Sequence, residues 1–432
     1  MLHSNLSVNE QGHLTFAGVD TTLLAEKYGT PLFVMDEERI RNNMRTYIAA
    51  MNKYFGEGSR PLFASKSLCV KRVYEIAKEE NMSIDIVSSG ELYTARAAGF
   101  PLERAYFHGN NKTDADIAFA LDCKLGYLVV DNKEELDEIQ RQANERGLKQ
   151  KILLRLSPGI DPHTHAKIAT GSVDSKFGTA IETGQAEELV RYALSLSAID
   201  LQGFHSHIGS QIFDCNPFCD AADIMLEFVA QMKQKLGFEA KCLNLGGGFG
   251  VRYVEDDPVI DIPKNIQNIS QHVKECCARL NIDQPNILME PGRSIVADAG
   301  ITLYSVGSVK TITGYKNYVS VDGGMTDNPR YALYQSQYSI LLANRANDEK
   351  NFTATVAGRC CESGDLIAED VALAKPQRND ILAVLVTGAY NYAMSSNYNR
   401  IPRPAMIMLD KNGRDYLALR RETFEDVCSH DV

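Results

Sequence analysis

Short apolar runs rich in β-branched and aromatic residues recur between residues 62 and 293, and amphipathic stretches separate them. The runs are LFASK (62–66), SIDIVS (83–88), AYFHG (105–109), GYLVVD (126–131), KILLRLS (151–157), LQGFHSHIG (201–209), KCLNLGGG (241–248) and NILMEPGR (286–293). The stretches between them, such as VKRVYEIAKEE and NKEELDEIQRQANERG, have helical periodicity, and several begin near an Asn, Ser or Asp. The pattern predicts eight strands that alternate with helices.

Eight such units are what a (β/α)8 barrel requires, because each parallel strand needs a crossover helix before the next. A doubly wound open sheet is the alternative. Nearly every predicted strand ends in polar residues or glycines, which are Lys66, Ser88, His108, Asp131, Arg155, His207, Gly246 to Gly248 and Glu290. A closed barrel brings these ends to one mouth, whereas an open sheet spreads them along an edge. The number of units and these ends favour the barrel.

The pattern changes beyond about residue 298, where YSVGSVKTI, KNYVSVDGG, FTATVAGRC, DILAVLVTGAY and PAMIML follow one another without helical stretches. These segments predict an all-β domain, and we expect the strand-like segment from His13 to Val19 to join it. The predicted fold is therefore α/β, with a (β/α)8 barrel over residues 32–298 and a β-domain formed by residues 1–31 and 299–432.

Composition narrows the class of partner. The 432 residues carry 45 basic and 56 acidic side chains, a net charge of -11, and no stretch concentrates Lys or Arg. Binding to nucleic acid or to an anionic membrane is therefore not expected, and the expected partner is a small molecule. No apolar run approaches the roughly 20 residues that cross a bilayer, and the start MLHSNLSVNE has no export signal pattern. Ten scattered Cys without a CxxC motif indicate reduced thiols in a cytoplasmic protein.

Three motifs at the predicted mouth carry candidate chemistry. A lysine at the end of a strand, Lys66, can condense with an aldehyde where contact with water is reduced. Three glycines in NLGGGFG (244–250) let backbone amides approach a phosphate, and MEPGR (289–293) supplies Glu290 in the other loop that usually binds phosphate in barrels. Together they indicate pyridoxal 5'-phosphate, with Glu290 at the pyridine nitrogen. Each motif alone also fits a surface lysine or a plain turn.

The motif HSHIGSQ (205–211) allows two interpretations. Alternation places His205 and His207 on one face, where His207 would stack on the cofactor ring and Ser210 would bind its phosphate. The alternative is a metal HxH pair, and DPHTH (161–165) supplies a second one. We expect no metal, because the triple glycine would then have no function.

These motifs, in this order, resemble those of the fold-type III pyridoxal-phosphate-dependent decarboxylases, whose fold is similar to that of alanine racemase. The resemblance extends over nearly the whole chain. It includes FASK, DIVSSGEL (85–92), FHGNNK (107–112), HSHIGSQ, NLGGGFG, MEPGR, DGGMTDNPRYALY (322–334), CCESGD (360–365) and GAYNYAMSSNYNRIPRP (388–404). SSGEL departs from the commoner SGGEL, which removes no chemical group that the reaction needs.

The resemblance implies a role for each matching residue. Lys66 forms the Schiff base and His207 stacks on the ring. The cofactor is held by Ser210, Gly247, Gly248, Glu290, Pro291, Gly292, Arg293 and Tyr390. Substrate is bound by Arg293, Arg330, Tyr334, Glu362 and Tyr390, and Cys361 is catalytic together with Lys66, His207 and Glu290. The resemblance also implies a head-to-tail homodimer, in which the β-domain supplies Cys361 and Glu362 to the partner subunit's active site.

The implied activity is that of a carboxy-lyase of lysine biosynthesis that converts meso-2,6-diaminopimelate to L-lysine. Arg330 with Tyr334, and Glu362, suit the carboxylate and the amine at the distal end of that substrate. A decarboxylase of ornithine, lysine or arginine is the alternative within the family. A metal-dependent barrel hydrolase and a non-catalytic relative are alternatives from other classes, although such relatives typically lose the lysine or the cysteine, and this chain has both.

Overall fold

The computed structural model describes residues 1–159 and 176–432, and the chain divides into two compact units. The barrel unit comprises Asn43–Gly250 and Val259–Gly292, and the β-unit comprises Met1–Asn42, Val251–Pro258 and Arg293–Val432. The sequence pattern placed the boundaries at residues 32 and 298 instead. DPHTH (161–165) lies outside the described residues.

The N-terminal elements explain the difference at the first boundary. They are β1 (Leu6–Val8), β2 (Leu14–Phe16), β3 (Val19–Asp20), α1 (Thr21–Tyr28), β4 (Leu32–Asp36) and α2 (Glu37–Phe55). The first three strands form a small antiparallel sheet of their own, which contains the segment from His13 to Val19. Strand β4 is the N-terminal strand that joins the main sheet of the β-unit, since it pairs with Gly300–Ile312 and Ala405–Leu409.

The barrel unit has the predicted alternation of strands and helices. Its strands are β5 (Arg60–Ala64), β6 (Ser83–Ile86), β7 (Ala105–Phe107), β8 (Tyr127–Val130), β9 (Gln150–Ser157), β10 (Thr179–Ala180), β11 (Ile199–His205), β12 (Cys242–Asn244) and β13 (Asn286–Met289). Its helices after α2 are α3 (Lys71–Glu79), α4 (Ser89–Ala97), α5 (Asp114–Asp122), α6 (Lys133–Glu145), α7 (Gln185–Ser195), α8 (Asn216–Leu236) and α9 (Ile262–Leu280).

All of these strands except the two-residue β10 form a closed ring of eight parallel strands. The ring closes because β13 pairs with β5, with Leu288 opposite Arg60, and because β8 pairs with β9. The barrel is confirmed, and the open-sheet alternative is wrong. Side chains from six of the strands fill the interior as one buried cluster: Leu62, Tyr106, Val129, Leu153, Cys242 and Leu288.

Polar residues at the ends of strands also start the helices that follow. The Ser88 hydroxyl accepts from the Glu91 amide at 3.2 Å, and Asn132 Oδ1 accepts from the Glu135 amide at 2.9 Å. Such caps satisfy amides that have no partner inside a helix. Strands β6 and β8 therefore turn into α4 and α6 within a few residues.

The C-terminal part of the β-unit is mostly sheet, as predicted. Its elements are α10 (Arg293–Val296), β14 (Gly300–Ile312), β15 (Lys316–Val321), α11 (Arg330–Tyr334), β16 (Ile340–Leu342), β17 (Phe352–Ala357), β18 (Leu366–Leu373), β19 (Ile381–Leu385), β20 (Ala405–Leu409), β21 (Asp415–Leu419) and α12 (Phe424–Cys428). The sheet order is β18-β17-β15-β14-β4-β20-β21, and β19 pairs with both β14 and β16. No helix in the described part of the chain is long and apolar enough to span a membrane.

Candidate active site

The carboxylate of Glu290 is the centre of a buried polar group at the carboxyl ends of the barrel strands. Asn244 Nδ2 donates to its Oε1 at 2.6 Å, and His108 Nε2 lies 2.9 Å from the same oxygen. His205 Nε2 lies 3.1 Å from Oε2. Asn244 and His205 are the last residues of β12 and β11, and His108 directly follows β7. Three strands thus aim a polar nitrogen at one carboxylate.

These contacts keep Glu290 ionised. Burial by itself would raise its pKa, but His108 and His205 lower the pKa well below its ordinary value. The pKa of His205 is lowered to about 4, mainly by burial, although Glu290 opposes that effect. A neutral imidazole that donates one hydrogen bond to an anion fits both shifts. The site therefore holds a fixed negative charge at neutral pH.

The pKa of a second carboxyl group, that of Asp85 at the end of β6, is shifted in the opposite direction. It is 3 % exposed, and burial raises its pKa to about 6, with His108 lowering it and Glu290 raising it further. Two neighbouring carboxyl groups with pKa values pushed apart are typical of active sites.

Lys66 and His207 lie at the same end of the barrel. Lys66 follows β5 in a short 3-10 turn, Ser65–Ser67, and its charge acts on Asp85 and His207. Its side chain is exposed in the described chain, whereas the sequence predicts that this lysine has little contact with water. His207 is half-buried, and burial together with the charges of Lys66 and Arg155 holds its pKa well below the ordinary value.

The triple-glycine turn after β12 has the backbone shape of an anion cradle. Gly246 and Gly248 have φ of +70° and +137°, which side chains disfavour. A Cβ at Gly247 would collide with the Glu290 carbonyl oxygen. The amides of Gly247 and Gly248 donate to no group among the described residues. The turn therefore presents two backbone donors that an anion can accept from.

The β-unit holds a second group of predicted residues, around Arg330. This arginine begins helix α11 and is only 5 % exposed. Its Nη1 donates to the Tyr338 hydroxyl at 2.7 Å. Arg293, also buried, donates from Nη1 to the Tyr253 hydroxyl at 2.8 Å, and its guanidinium carbon lies 4.9 Å from the centre of the Tyr390 ring.

The other predicted residues of the β-unit are more exposed. Tyr334 ends α11 and is half-buried, as is Tyr390, which has φ of +61°. Cys361 and Glu362 are exposed in the loop that precedes β18, and the Cys361 amide donates to Asn399 Oδ1 at 2.8 Å. In the barrel unit, Ser210, Pro291 and Gly292 lie in the loops that follow β11 and β13.

Several residues of these two groups were not singled out from the sequence as site residues. His108 lies in FHGNNK and Asp85 in DIVSSGEL, and their positions at strand ends point to the barrel mouth. Asn244 is the first residue of NLGGGFG, but the glycines of that motif, and not this asparagine, indicated a function. Tyr253 and Tyr338 carried no signal, because a lone aromatic in an irregular segment resembles any core residue.

The comparisons with known proteins identify the family. Residues 38–297 match the model of the pyridoxal-dependent decarboxylases, pyridoxal binding domain. The chain belongs to this family. It is 45% identical to the diaminopimelate decarboxylase of Bacillus subtilis (strain 168), over 100% of this chain and 98% of that protein. It is 46% identical to that of Bacillus methanolicus, over 97% of each chain.

Solved structures agree with these relatives. The diaminopimelate decarboxylase of M. jannaschii in complex with L-lysine superposes with a TM-score of 0.91 at 33% identity, over 100% of this chain and 99% of that one. The Helicobacter pylori diaminopimelate decarboxylase in complex with L-lysine has a TM-score of 0.86 at 29% identity, over 95% of this chain and 98% of that one. A pyridoxal-dependent decarboxylase of fold type III accounts for both the barrel and the β-unit.

The residues of the barrel unit fit pyridoxal phosphate. The two glycine amides suit its phosphate, and the fixed charge of Glu290 suits a protonated pyridine nitrogen. Buried oxygens of Asp85 and Ser206 have no hydrogen-bond partner in the described structure, so polar atoms remain for a ligand to contact.

The residues whose ligand atoms converge in the structure are not the pair that the sequence indicated for a metal. His205 was paired with His207 as an HxH motif, but the ligand atoms that converge, within 4.8 Å of one another, belong to His108, His205 and Glu290. Each imidazole of this group contacts the carboxylate directly. The hydrogen bond from His205 and the close approach of His108 account for the group as a support of Glu290.

Proposed function

We propose that this chain is a pyridoxal-phosphate-dependent carboxy-lyase that converts meso-2,6-diaminopimelate to L-lysine, the last step of lysine biosynthesis. The observation that carries the proposal is the Glu290 carboxylate, ionised and contacted by His108, His205 and Asn244 at the barrel mouth. Such a fixed anion keeps a pyridine nitrogen protonated. When bound, the cofactor accepts the electron pair that remains on the substrate carbon after loss of carbon dioxide.

Four loops of the barrel unit supply most of the residues assigned to the cofactor. Lys66 would bind its aldehyde carbon, and His207 would stack on the ring. Ser210, Gly247, Gly248 and the turn Pro291 to Gly292 would hold the phosphate, and Arg293 and Tyr390 of the β-unit are also assigned to cofactor binding. His207 suits stacking because its lowered pKa favours the neutral imidazole, which would not repel a ring protonated at its nitrogen.

Protonation of the substrate carbon needs an acid. Cys361 is the first candidate and the amine of Lys66 the second. Both side chains are exposed in the described chain, so each is accessible to a ligand.

Substrate selection is assigned to the β-unit. Arg330 with Tyr334, and Arg293 with Tyr390, bind carboxylate groups, while Glu362 binds the distal amine. The buried guanidinium of Arg330 supports this assignment, because the described residues form no ion pair with it. A decarboxylase of ornithine or lysine would place a bare ammonium there, and a buried arginine would repel it. Structures of a lysine/ornithine decarboxylase from Vibrio vulnificus, at 24% identity, share the fold alone.

Two further proposals concern the assembly and its location. The chain forms a homodimer with shared active sites, in which Cys361 and Glu362 serve the partner subunit. It acts in the cytoplasm, where its ten cysteines, all of them free thiols, remain reduced.

The test is an assay of the purified chain with pyridoxal phosphate and meso-diaminopimelate. We expect release of carbon dioxide and of L-lysine in equal amounts, and much slower turnover of ornithine. The protein should also show an absorbance band near the violet edge of the visible range that borohydride abolishes, since borohydride reduces the bond between Lys66 and the cofactor. Preference for ornithine would overturn the substrate, and a colourless, zinc-dependent preparation would overturn the reaction class.

A further inference from the structure

Arg330 is surrounded by aromatic rings. Its guanidinium carbon lies 4.7 Å from the centre of the Tyr253 ring and 5.4 Å from that of the Tyr338 ring. The Tyr338 hydroxyl accepts from Nη1 at 2.7 Å. Across residues 1–159 and 176–432, no carboxylate oxygen lies within 4.0 Å of this guanidinium. A buried cation that is held by rings and a neutral oxygen retains its attraction for an anion.

The two tyrosines are themselves held in place. The Tyr253 carbonyl oxygen accepts from the Ser339 amide at 3.2 Å and from the Ser339 hydroxyl at 3.0 Å. The Tyr338 hydroxyl donates to Asn391 Oδ1 at 3.3 Å. The rings of Tyr253 and Tyr338 meet edge to face, with centroids 5.6 Å apart. All three aromatic and amide side chains are buried, so they form a rigid frame around the guanidinium.

Tyr253 also connects Arg330 with the second arginine. Its hydroxyl accepts from Arg293 Nη1 at 2.8 Å. Burial would raise the pKa of Tyr253, but the charges of Arg293 and Arg330 lower it below the ordinary value. The Tyr253 phenol therefore interacts favourably with two guanidinium groups in one buried region.

We propose that Tyr253 and Tyr338 are positioning residues that orient the guanidinium of Arg330 for one class of ligand group, a carboxylate at the far end of a flexible amino-acid chain. A guanidinium has five N–H donors, so the hydrogen bond from Nη1 to Tyr338 restricts its orientation and leaves donors from which a carboxylate can accept. The two phenols therefore favour substrates that carry the distal carboxylate. This inference rests on the proposed function, which assigns that carboxylate to Arg330.

Two ligands of equal chain length isolate the carboxylate. Decarboxylation at one end of diaminopimelate leaves the carboxylate at the other end, so L-lysine retains it, whereas cadaverine (1,5-diaminopentane) has none. In the holoenzyme we expect Tyr338→Phe to raise the Kd of L-lysine about tenfold, as for a weakened hydrogen bond to a charged group, and to leave the Kd of cadaverine within about twofold. Isothermal titration calorimetry measures both constants.

Steady-state kinetics give a second readout. We expect Tyr338→Phe to raise KM for meso-diaminopimelate about tenfold while kcat changes by no more than about threefold, since the reacting end of the substrate is not affected. Tyr331→Phe is the matched control, because Tyr331 follows Arg330 directly and its hydroxyl donates elsewhere, to Glu369 Oε2 at 2.6 Å. The control should behave as the wild type in both assays.

The proposal is overturned if L-lysine binds Tyr338→Phe as tightly as the wild type, if both ligands weaken equally, or if kcat falls with KM unchanged. Should Tyr338→Phe fail to fold, Tyr253→Phe replaces it in the binding assay alone, because it keeps the ring beside Arg330 and removes the hydroxyl that accepts from Arg293; a weaker affinity for L-lysine with an unchanged affinity for cadaverine is again expected, and unchanged binding of both overturns the proposal. A wild-type protein that neither binds L-lysine nor decarboxylates diaminopimelate refutes the proposed function, and this inference with it. A wild type that does both, beside an unaltered Tyr338→Phe, refutes this inference alone.

Discussion

Asn244 donates a hydrogen bond of 2.6 Å to Glu290 across the carboxyl ends of two neighbouring parallel strands of the barrel. Its own Oδ1 accepts from the Gly246 amide at 2.9 Å. One amide side chain therefore connects the carboxylate proposed for the pyridine nitrogen with the glycine turn proposed for the phosphate. The two ends of the cofactor site have a fixed separation for this reason.

Replacing Glu290 with Gln is expected to lower kcat by several orders of magnitude, at roughly 1.4 kcal/mol of lost transition-state stabilisation per decade. A neutral amide cannot keep the pyridine nitrogen protonated, and its NH2 group would face an imidazole N–H. Steady-state kinetics with saturating cofactor measure the effect. Glu134→Gln, at an exposed position in the first turn of α6, is the control. An unchanged kcat would mean that Glu290 does not serve the ring nitrogen.

Lys66→Ala is expected to abolish turnover and the absorbance band that borohydride removes, while the midpoint of thermal unfolding stays within a few degrees of the wild type. Lys66 is exposed, so its loss leaves no cavity in the core. Lys71→Ala, at the exposed start of α3, is the matched control. Decarboxylation by Lys66→Ala at a near-normal rate would contradict the assigned role.

Arg330→Met is expected to raise KM for meso-diaminopimelate by an amount equivalent to about 1.5–3 kcal/mol, the free energy of a hydrogen bond between charged groups. Methionine is chosen because Arg330 is buried and a smaller side chain would leave a cavity. Steady-state kinetics with meso-diaminopimelate and with ornithine, which has no second carboxylate, distinguish a loss of carboxylate binding from a general structural defect. A parallel loss on both substrates would show that Arg330 is structural.

The proposed homodimer predicts complementation. Lys66→Ala and Cys361→Ala are each expected to be inactive, and equal mixing after subunit exchange should restore about a quarter of the wild-type rate per protomer. Half of the dimers are then mixed, and in each of these one site carries both defects and the other neither. Exchange is verified by native mass spectrometry. If exchange occurs and activity does not return, the two residues act within one chain or Cys361 is not required.

Asp327 in the β-unit predicts an unusual pH dependence of stability. Burial raises its pKa to about 7, although Tyr304 donates to it and the Gly324 amide donates at 3.0 Å. Because the pKa of Asp327 is raised in the folded state, its contribution to the free energy of unfolding is fully present below the unfolded pKa of 3.8. This contribution is lost as the pH rises through about 7. Asp327→Asn removes this loss, so its advantage over the wild type should grow by about 2–4 kcal/mol between pH 4 and 8.

Chemical unfolding followed by circular dichroism at pH 5, 6, 7 and 8 checks this expectation. Asp370→Asn serves as the control, since Asp370 is an exposed carboxylate of the same unit. Equal pH slopes for the wild type and Asp327→Asn would contradict a buried carboxyl with a raised pKa.

The hydrophobic pattern predicted all eight barrel strands because each is a compact apolar run between helical stretches. It could not place β4, since Leu32–Asp36 is as apolar as a barrel strand and only long-range pairing assigns it to the β-unit. The burial of Arg330 was likewise not predictable from the sequence pattern. Its burial depends on Tyr253 and Tyr338, which no local pattern connects with it.

Closure of the barrel has a consequence for folding. Lys66 and Glu290 are neighbours because the first and last strands of the ring pair, and the Ala64 amide donates to the Pro291 carbonyl at 3.0 Å beside them. Contacts this distant along the chain form late, since much of the chain must be ordered first. Acquisition of the cofactor during refolding is therefore expected to report the pairing of β5 with β13.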